Sequence, residues 1–291
     1  MRLKRIITAV LSSALMLCGC SLNSAVTDSS VAPLPPTAEG KLEELTCYSY
    51  KAGKADAHLI YNSKFAVLID CGEKGFGKEI CDHLDKLGIR TLDMLIVTHF
   101  DKDHVGGAAK VLKTVEVREV VQSNCPKDSE EYNNYVAELE RLGKQPTVLK
   151  NQKSYRFGDA EVTIYPPMRD SYPKDESNNS SLITSVRYGS RSMLFTGDAQ
   201  DQRILEFVTH ERHSFDMLKV PYHGHMMQRL GQLIDSVKPS IAVITSSDEI
   251  PEDREVTDLL SKAGALIYLT REAPVAVKCD GQNISAAYDN K

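Results

Sequence analysis

The sequence predicts one α/β domain in which sheets are covered on their outer faces by helices. Short apolar runs bounded by Gly, Asn and Ser alternate with longer stretches of helical periodicity. The helical stretches are amphipathic, so each must lay an apolar face on a sheet. The alternation recurs in two halves of similar make-up, without a repeat at the roughly 20–50-residue periods of solenoids and arrays. At 291 residues, 42% hydrophobic and 26% charged, the chain has the composition of an ordinary soluble globular protein. A net charge of −5 argues against a broadly basic nucleic-acid binder while leaving room for a local basic groove. Trp is absent, so any stacking platform must use Tyr or Phe.

The first residues stand apart from the fold. Met1-Arg2-Leu3-Lys4-Arg5 is a basic segment, and Ile6 to Leu17 is apolar but too short for a comfortable membrane span. It ends in Leu17-Cys18-Gly19-Cys20, which resembles the lipobox of bacterial lipoproteins with Cys20 as the modified residue. An ordinary secretory signal and an uncleaved anchor are the alternatives; the small residue before Cys20 favours the lipoprotein. Residues 21–40 are rich in Ser, Pro, Ala and Thr and predict a disordered tether. The expected organisation is therefore a signal peptide over 1–19, a lipid-anchored tether over 20–43 and the folded domain over 44–291. The expected location is outside the cytoplasmic membrane, held through lipidated Cys20.

Within the domain, Leu45 to Tyr50, His58 to Tyr61 and Phe65 to Ile69 predict short strands separated by turn signals at Gly53 and Asn62-Ser63. Lys78 to Leu87 predicts a helix stopped by Gly88. Leu92 to Val97 predicts a buried strand, and Val105 to Leu112 the start of a helix. Val115 to Val121 is a further strand, Ser129 to Leu142 a charged amphipathic helix, and Val162 to Tyr165 a strand before Pro166-Pro167. Met168 to Ser177 is polar and without periodicity. Leu182 to Arg187 and Met193 to Phe195 predict a hairpin, Asp201 to Thr209 a helix, Met217 to Val220 a strand and Met226 to Val237 a helix. Ile241 to Thr245, Leu266 to Leu269 and Val275 to Lys278 are strands, with a helix over Arg254 to Ala263.

Past Cys20 the cysteines are Cys47, Cys71, Cys81, Cys125 and Cys279, an odd number with no CxxC spacing. Export permits disulfides, so a mixture of buried thiols and at most two bridges is expected.

The chemistry concentrates in Thr98-His99-Phe100-Asp101-Lys102-Asp103-His104-Val105-Gly106-Gly107. Two imidazoles and two carboxylates stand on one strand-to-helix turn, and the glycine pair lets backbone pack closely behind it. Four ligands on so short a loop cannot all reach one ion. They can serve two adjacent ions, with His99 and Asp101 on one and Asp103 and His104 on the other. A polar surface turn is the alternative, and the apolar strand feeding the cluster argues against it.

The segment resembles the HxHxDH signature of the metallo-β-lactamase superfamily, in the variant whose second His is Asp. The surrounding motifs resemble the metallo-β-lactamase-like domain of ComEC-type competence proteins. Ala52-Gly53-Lys54-Ala55-Asp56-Ala57-His58-Leu59-Ile60 is similar to that group's VGQGDAxLI opening, and Val67-Leu68-Ile69-Asp70-Cys71-Gly72 to LIDTG. Asn178-Asn179-Ser180-Ser181-Leu182 matches NNxSL, Leu194-Phe195-Thr196-Gly197-Asp198 is similar to LLTGD, and Leu218-Lys219-Val220-Pro221-Tyr222-His223-Gly224 to LKVPHHGS. The resemblance runs from about Leu45 to the C-terminus. It implies a four-layer αββα sandwich with the site at the sheet edges between the halves.

It also implies a dinuclear site. Asp198 matches the bridging ligand, with a helix cap as its alternative role. His223 is the expected final ligand of the second ion. Where the relatives carry two consecutive His, this chain has Tyr222, whose hydroxyl could bond substrate or whose ring could simply pack; His225 is a possible substitute ligand. Asp103 and Tyr222 are the residues assigned to the chemical step. No His lies between His104 and His210, so the first ion lacks a third imidazole, and Asn178 or Asn179 is expected to approach it or to make a turn. Asp70 is expected to orient ligands, and Asp56 to do likewise. His58, His83, His210 and His213 are read as structural or solvated. A carboxylate-rich set suits two divalent ions, Zn or Mn.

Two metals roughly 3.5–4 Å apart activate a shared water and clamp both oxygens of an in-line displacement. The resemblance implies phosphodiester hydrolysis, of DNA or of a surface polymer resembling teichoic acid. The alternatives are a carbonyl-substrate hydrolase (lactonase, thioesterase or β-lactamase) and a surface lipoprotein that binds metal without turnover. Tyr222, and Ile250 where the group commonly has a His before Pro, favour the last. No stable protein partner is readable.

Overall fold

The structure is a computed structural model that describes residues 42–290; the expected signal peptide, Cys20 and nearly all of the expected tether lie outside the described residues. β1 (Leu45–Ser49), β2 (His58–Tyr61) and β3 (Ala66–Ile69) form an antiparallel meander. From β3 onward the strands run parallel, through β4 (Thr91–Val97), β5 (Glu116–Gln122) and the two-residue β6 (Thr147–Val148). A parallel neighbour needs a crossover. The crossovers are α1 (Gly77–Lys86), then α2 (Lys102–Val105) with α3 (Ala108–Thr114), then α4 (Glu130–Arg141).

The second sheet repeats the scheme. β7 (Lys153–Phe157), β8 (Ala160–Tyr165), β9 (Ile183–Tyr188) and β10 (Arg191–Phe195) are antiparallel, with the one-turn α5 (Glu176–Asn179) between β8 and β9. β10, β11 (Met217–Lys219), β12 (Ile241–Ile244) and β13 (Leu266–Leu269) are parallel, crossed by α6 (Asp201–His210), α7 (Leu230–Val237) and α8 (Arg254–Lys262). β14 (Val275–Cys279) and β15 (Ile284–Tyr288) then return beside β1. The sheets have the orders β15-β14-β1-β2-β3-β4-β5-β6 and β13-β12-β11-β10-β9-β8-β7.

Side-chain alternation builds the layers. Cys47, Ile60, Val67, Met94 and Ile96 of the first sheet meet Val162, Val186, Met193, Phe195 and Val243 of the second in a central core. The alternate residues Leu59, Leu68 and Leu95 face Ile80 and Leu84 of α1, Val111 of α3 and Leu139 of α4. Leu194, Leu218 and Ala242 face Ile204 and Phe207 of α6, Leu233 of α7 and Leu260 of α8. Helix, sheet, sheet, helix: this is the expected αββα sandwich.

The differences have local causes. The helix expected to run on from Val105 is broken into α2 and α3 at Gly106-Gly107, where a Cβ on Gly107 would stand 2.2 Å from the Cys71 carbonyl oxygen. Backbone crosses there, so the loop is pinned against the end of β3. The helix expected from Met226 begins at Leu230. β6, β7 and β15 were not anticipated. All five cysteines of the described residues are free thiols, four of them buried. Among the described residues no helix is long and apolar enough to cross a membrane.

Candidate metal centre

The parallel strands β3, β4, β10, β11 and β12 deliver Asp70, His99, Asp198, Lys219 and Thr245 from their C-terminal ends. Open α/β sheets place ligand sites there. Asp56, in the turn before β2, joins them from the first sheet. These side chains are all buried.

His99, His104 and His223 share one arrangement. In each ring Nδ1 meets a neighbour: Thr98 Oγ1 at 3.2 Å for His99, Asp70 Oδ2 at 2.8 Å for His104, and Thr245 Oγ1 at 3.3 Å for His223. In each ring Nε2 is buried without a hydrogen-bond partner, as is Asp198 Oδ1. Leaving such groups unsatisfied costs about 1–3 kcal/mol apiece. His104 Nε2 lies 3.4 Å from Asp198 Oδ1, and His223 Nε2 lies 2.9 Å from Asp198 Oδ2.

Donor atoms of His99, His104 and Asp198 lie within 4.8 Å of one another, and so do those of Asp103, His104 and His223. Metal–ligand bonds of about 2.0–2.2 Å bring ligand atoms to such separations. The residues present therefore fit two adjacent divalent ions. His104 belongs to both groups, whereas the sequence placed it with Asp103 alone.

The supporting residues are strained into place. Asp70 (φ 56°) accepts from Thr98 N at 2.8 Å and Thr98 Oγ1 at 2.6 Å as well as from His104. Tyr222 and His223 have φ of 50° and 55° in a single 3-10 turn. Non-glycine residues there cost roughly 1–3 kcal/mol each and gather at functional sites. Gly197 (φ 50°) brings its Cα close enough that a Cβ would stand 3.0 Å from the Thr98 side chain.

Burial and charge together set the protonation of these side chains. Burial pushes the His99 imidazole down to about 4, helped by the His104 cation beside it. Burial also works to lower His104, but the Asp198, Asp70 and Asp56 carboxylates outweigh it and hold that ring well above its ordinary range. His223 is raised in the same way, against its burial, chiefly by Asp198 and Asp103. Burial would raise the Asp198 and Asp56 carboxyls, yet His223 and His104 hold Asp198, and Lys219 and His104 hold Asp56, well below the carboxylate range.

The other expected residues lie less centrally. Asp101 is half-buried, with Oδ1 4.0 Å from His99 Nε2, and accepts from Lys127 Nζ at 2.6 Å and from Ser177. The Asn179 amide is engaged elsewhere: Oδ1 accepts from Arg203 N at 3.0 Å and Nδ2 donates to the Lys174 carbonyl at 3.0 Å. It braces the 179–182 loop, from which Ser181 Oγ lies 3.2 Å from Asp198 N and 3.4 Å from His99 Nδ1. His225 pairs with Asp253 at 3.5 Å and belongs to none of the close donor groups among the described residues. Tyr222 packs its ring on the apolar cluster beneath α6, α7 and α8. His58 is buried with Nδ1 2.8 Å from Ser49 Oγ, and His83 bonds the Tyr50 hydroxyl at 2.9 Å.

Three lysines were not foreseen. Lys219 is fully enclosed, bonded to Asp56, 3.1 Å from the Gly197 carbonyl oxygen and 3.7 Å from Asp198. A buried ammonium is tolerable only when paired, so a Lys inside the apolar run Met217 to Val220 was itself the available signal. Lys54 bonds Asp103, and Lys127 bonds Asp101. Both come from turns without periodicity, where nothing in the sequence marks them.

Residues 50–245, which include strands of both sheets and every candidate ligand named above, match the Metallo-beta-lactamase superfamily. The chain belongs to this superfamily. Membership supports a metal-dependent hydrolase, in keeping with the clustered imidazoles and carboxylates. Two bacterial proteins are similar in sequence. ComE operon protein 3 of Bacillus subtilis is 29% identical over 175 residues, covering 58% of this chain and 22% of that protein. Recombination protein 2 of Haemophilus influenzae is 27% identical over 199 residues, covering 67% and 23%. The match to this metallo-β-lactamase-fold chain thus spans less than a quarter of either relative.

Solved structures agree on the fold. The metallo-beta-lactamase fold protein YhfI from Bacillus subtilis superposes with a TM-score of 0.53 at 11% identity, over 84% of this chain and 100% of that one. A putative metal-dependent hydrolase from Parabacteroides distasonis gives 0.50 at 14% identity, over 80% and 96%.

Proposed function

We propose that this protein is a dinuclear metal-dependent phosphodiesterase acting outside the cytoplasmic membrane, anchored through lipidated Cys20, on DNA or a phosphodiester surface polymer. The observation that carries the reading is the convergence of three unpartnered Nε2 atoms on Asp198 between the sheets. His99, His104, His223, Asp103 and Asp198 would hold the ions, with Asp101 completing the first once it leaves Lys127. Bound there, two divalent cations would supply an activated water and face the two non-bridging oxygens of a phosphodiester. Asp70, Thr98 and Thr245 aim the imidazoles. Lys219 holds Asp56 and flanks Asp198, fixing their carboxylates without a proton. Burial works to raise the Asp103 carboxyl, but His223, His104 and Lys54 hold it well below the ordinary carboxylate range, ionised as a metal ligand must be. The likeness to a protein named for recombination favours a nucleic-acid substrate.

The test is a panel of substrates offered to metal-reconstituted protein: DNA, a phosphocholine ester, a lactone and a β-lactam. Cleavage of a phosphodiester and not of the carbonyl substrates is expected. Lactone or lactam turnover alone would replace this reading with a carbonyl hydrolase. Full metal content with no turnover on any of them would make the protein a binder.

A further inference from the structure

Two of the three lysines stand on the oxygen that faces the histidines. Lys54 Nζ bonds Asp103 Oδ2, and that same oxygen lies 3.4 Å from His223 Nε2. Lys127 Nζ bonds Asp101 Oδ1 at 2.6 Å, and that oxygen is the one 4.0 Å from His99 Nε2. A divalent ion seated among these donors needs the same two oxygens, and an ammonium on the same oxygen repels it. Lys219 is walled in on all sides and stays with Asp56. Lys54 and Lys127 differ, because their side chains remain 26% and 40% exposed and their four-carbon stems can swing. Once off the carboxylates they are two cations at the rim of the centre, on a chain whose net charge is −5.

We propose that Lys54 and Lys127 form an exchangeable anion-binding pair: each neutralises a carboxylate in the metal-free protein, and each turns to a substrate phosphate when that carboxylate takes a metal ion. The inference rests on the phosphodiesterase reading and deepens it. Two separate cations on two carboxylates suit a substrate with successive anionic groups, so the class of ligand is a phosphodiester polymer.

The pair has a signed test. The full chain, as wild type, Lys54→Met and Lys127→Met, is titrated calorimetrically with zinc and then, zinc-loaded, with inorganic phosphate. Because each lysine competes with metal, both variants should bind zinc as tightly as wild type or up to about tenfold more tightly, whereas phosphate affinity should fall about tenfold. Weaker zinc binding in the variants would mean that the lysines hold the carboxylates in place, and the proposal falls. Unchanged phosphate affinity overturns it equally. An oligothymidylate and poly(glycerol phosphate) then serve as polymer probes. The one whose affinity drops in the variants is the substrate class, and a drop against neither counts against the pair. Phosphate binding with these signs but no diester cleavage would leave the pair standing and remove the enzymatic reading instead.

Discussion

His104 donates its Nδ1 proton to Asp70 Oδ2 at 2.8 Å, and Asp70 reaches that position with its own backbone in the left-handed region. The carboxylate is acceptor only, so the bond fixes which ring nitrogen carries that proton and aims Nε2 at Asp198. The same carboxylate ties down Thr98, the residue before His99. One side chain thereby aligns two imidazoles.

Asp70→Asn should therefore weaken metal binding by about 10–100-fold while the protein remains folded. An amide offers one acceptor atom where three donors now converge. Competition against a chelator of known affinity measures this, and an unchanged affinity would remove Asp70 from the support of the site.

Much of this was legible beforehand, for reasons that differ by element. The buried strands β3 and β12 are continuous apolar runs, and β4 and β10 end in them, so the apolar signal found them. β7 and β15 lie at sheet edges and are largely solvent-facing, which leaves an apolar signal too thin to read. His99, His104, Asp198 and His223 were found because ligand spacing and motif order survive in the sequence. Asn179 stayed open between an approach to the first ion and a turn, because a motif position does not say whether an amide faces a metal or a backbone; here its amide oxygen accepts from Arg203 N. Lys54 and Lys127 reach the site through tertiary approach alone.

Metal binding at pH 7 should release at least about one proton. His104 and His223 are both raised in the metal-free protein, so their Nε2 protons must leave when a metal binds. Binding calorimetry in two buffers of different ionisation heat counts them, and a heat independent of buffer would contradict it. The same shifts shape stability. The raised imidazoles stabilise the metal-free fold below about pH 6.5 and lose that effect as pH rises through their folded values. The lowered Asp56 and Asp198 stabilise it above about pH 4 and lose that effect as pH falls. His99, held to about 4, opposes the other imidazoles in the lower part of that window. Metal-free protein should melt highest near pH 5–6, and added metal should move the optimum upward; an optimum already above pH 7 without metal would contradict the assignment.

Manganese should support turnover at least as well as zinc. His99, His104 and His223 supply the nitrogen donors, against the carboxylates of Asp101, Asp103 and Asp198 shared by two ions. Exchanging imidazole for carboxylate raises tolerance for harder cations, and the first ion, with His99 and Asp101, should respond most. Reactivation of chelated protein with each metal tests this. Recovery with zinc alone, both zinc ions surviving dialysis, would show that the first ion is better held than these ligands allow.

Membrane association should depend on Cys20. Cys20→Ala should leave the protein soluble or unprocessed, because the tether that follows has no apolar segment to hold a bilayer. Fractionation of cells expressing the variant decides it; processed, membrane-bound Cys20→Ala protein would show that the lipobox assignment is wrong.

The central claim, that the histidines and carboxylates between the sheets form a metal centre that cleaves phosphodiesters, meets its most direct test in one paired measurement. Bound metal is counted by mass spectrometry while hydrolysis of bis(p-nitrophenyl) phosphate is followed, for native, chelated and reconstituted protein and for His104→Ala. Turnover should vanish on chelation, return in proportion to metal bound, and fall at least about 100-fold with the loss of His104 and its metal. Chelated protein that cleaves the diester at the native rate, or His104→Ala protein that keeps full turnover, would contradict it.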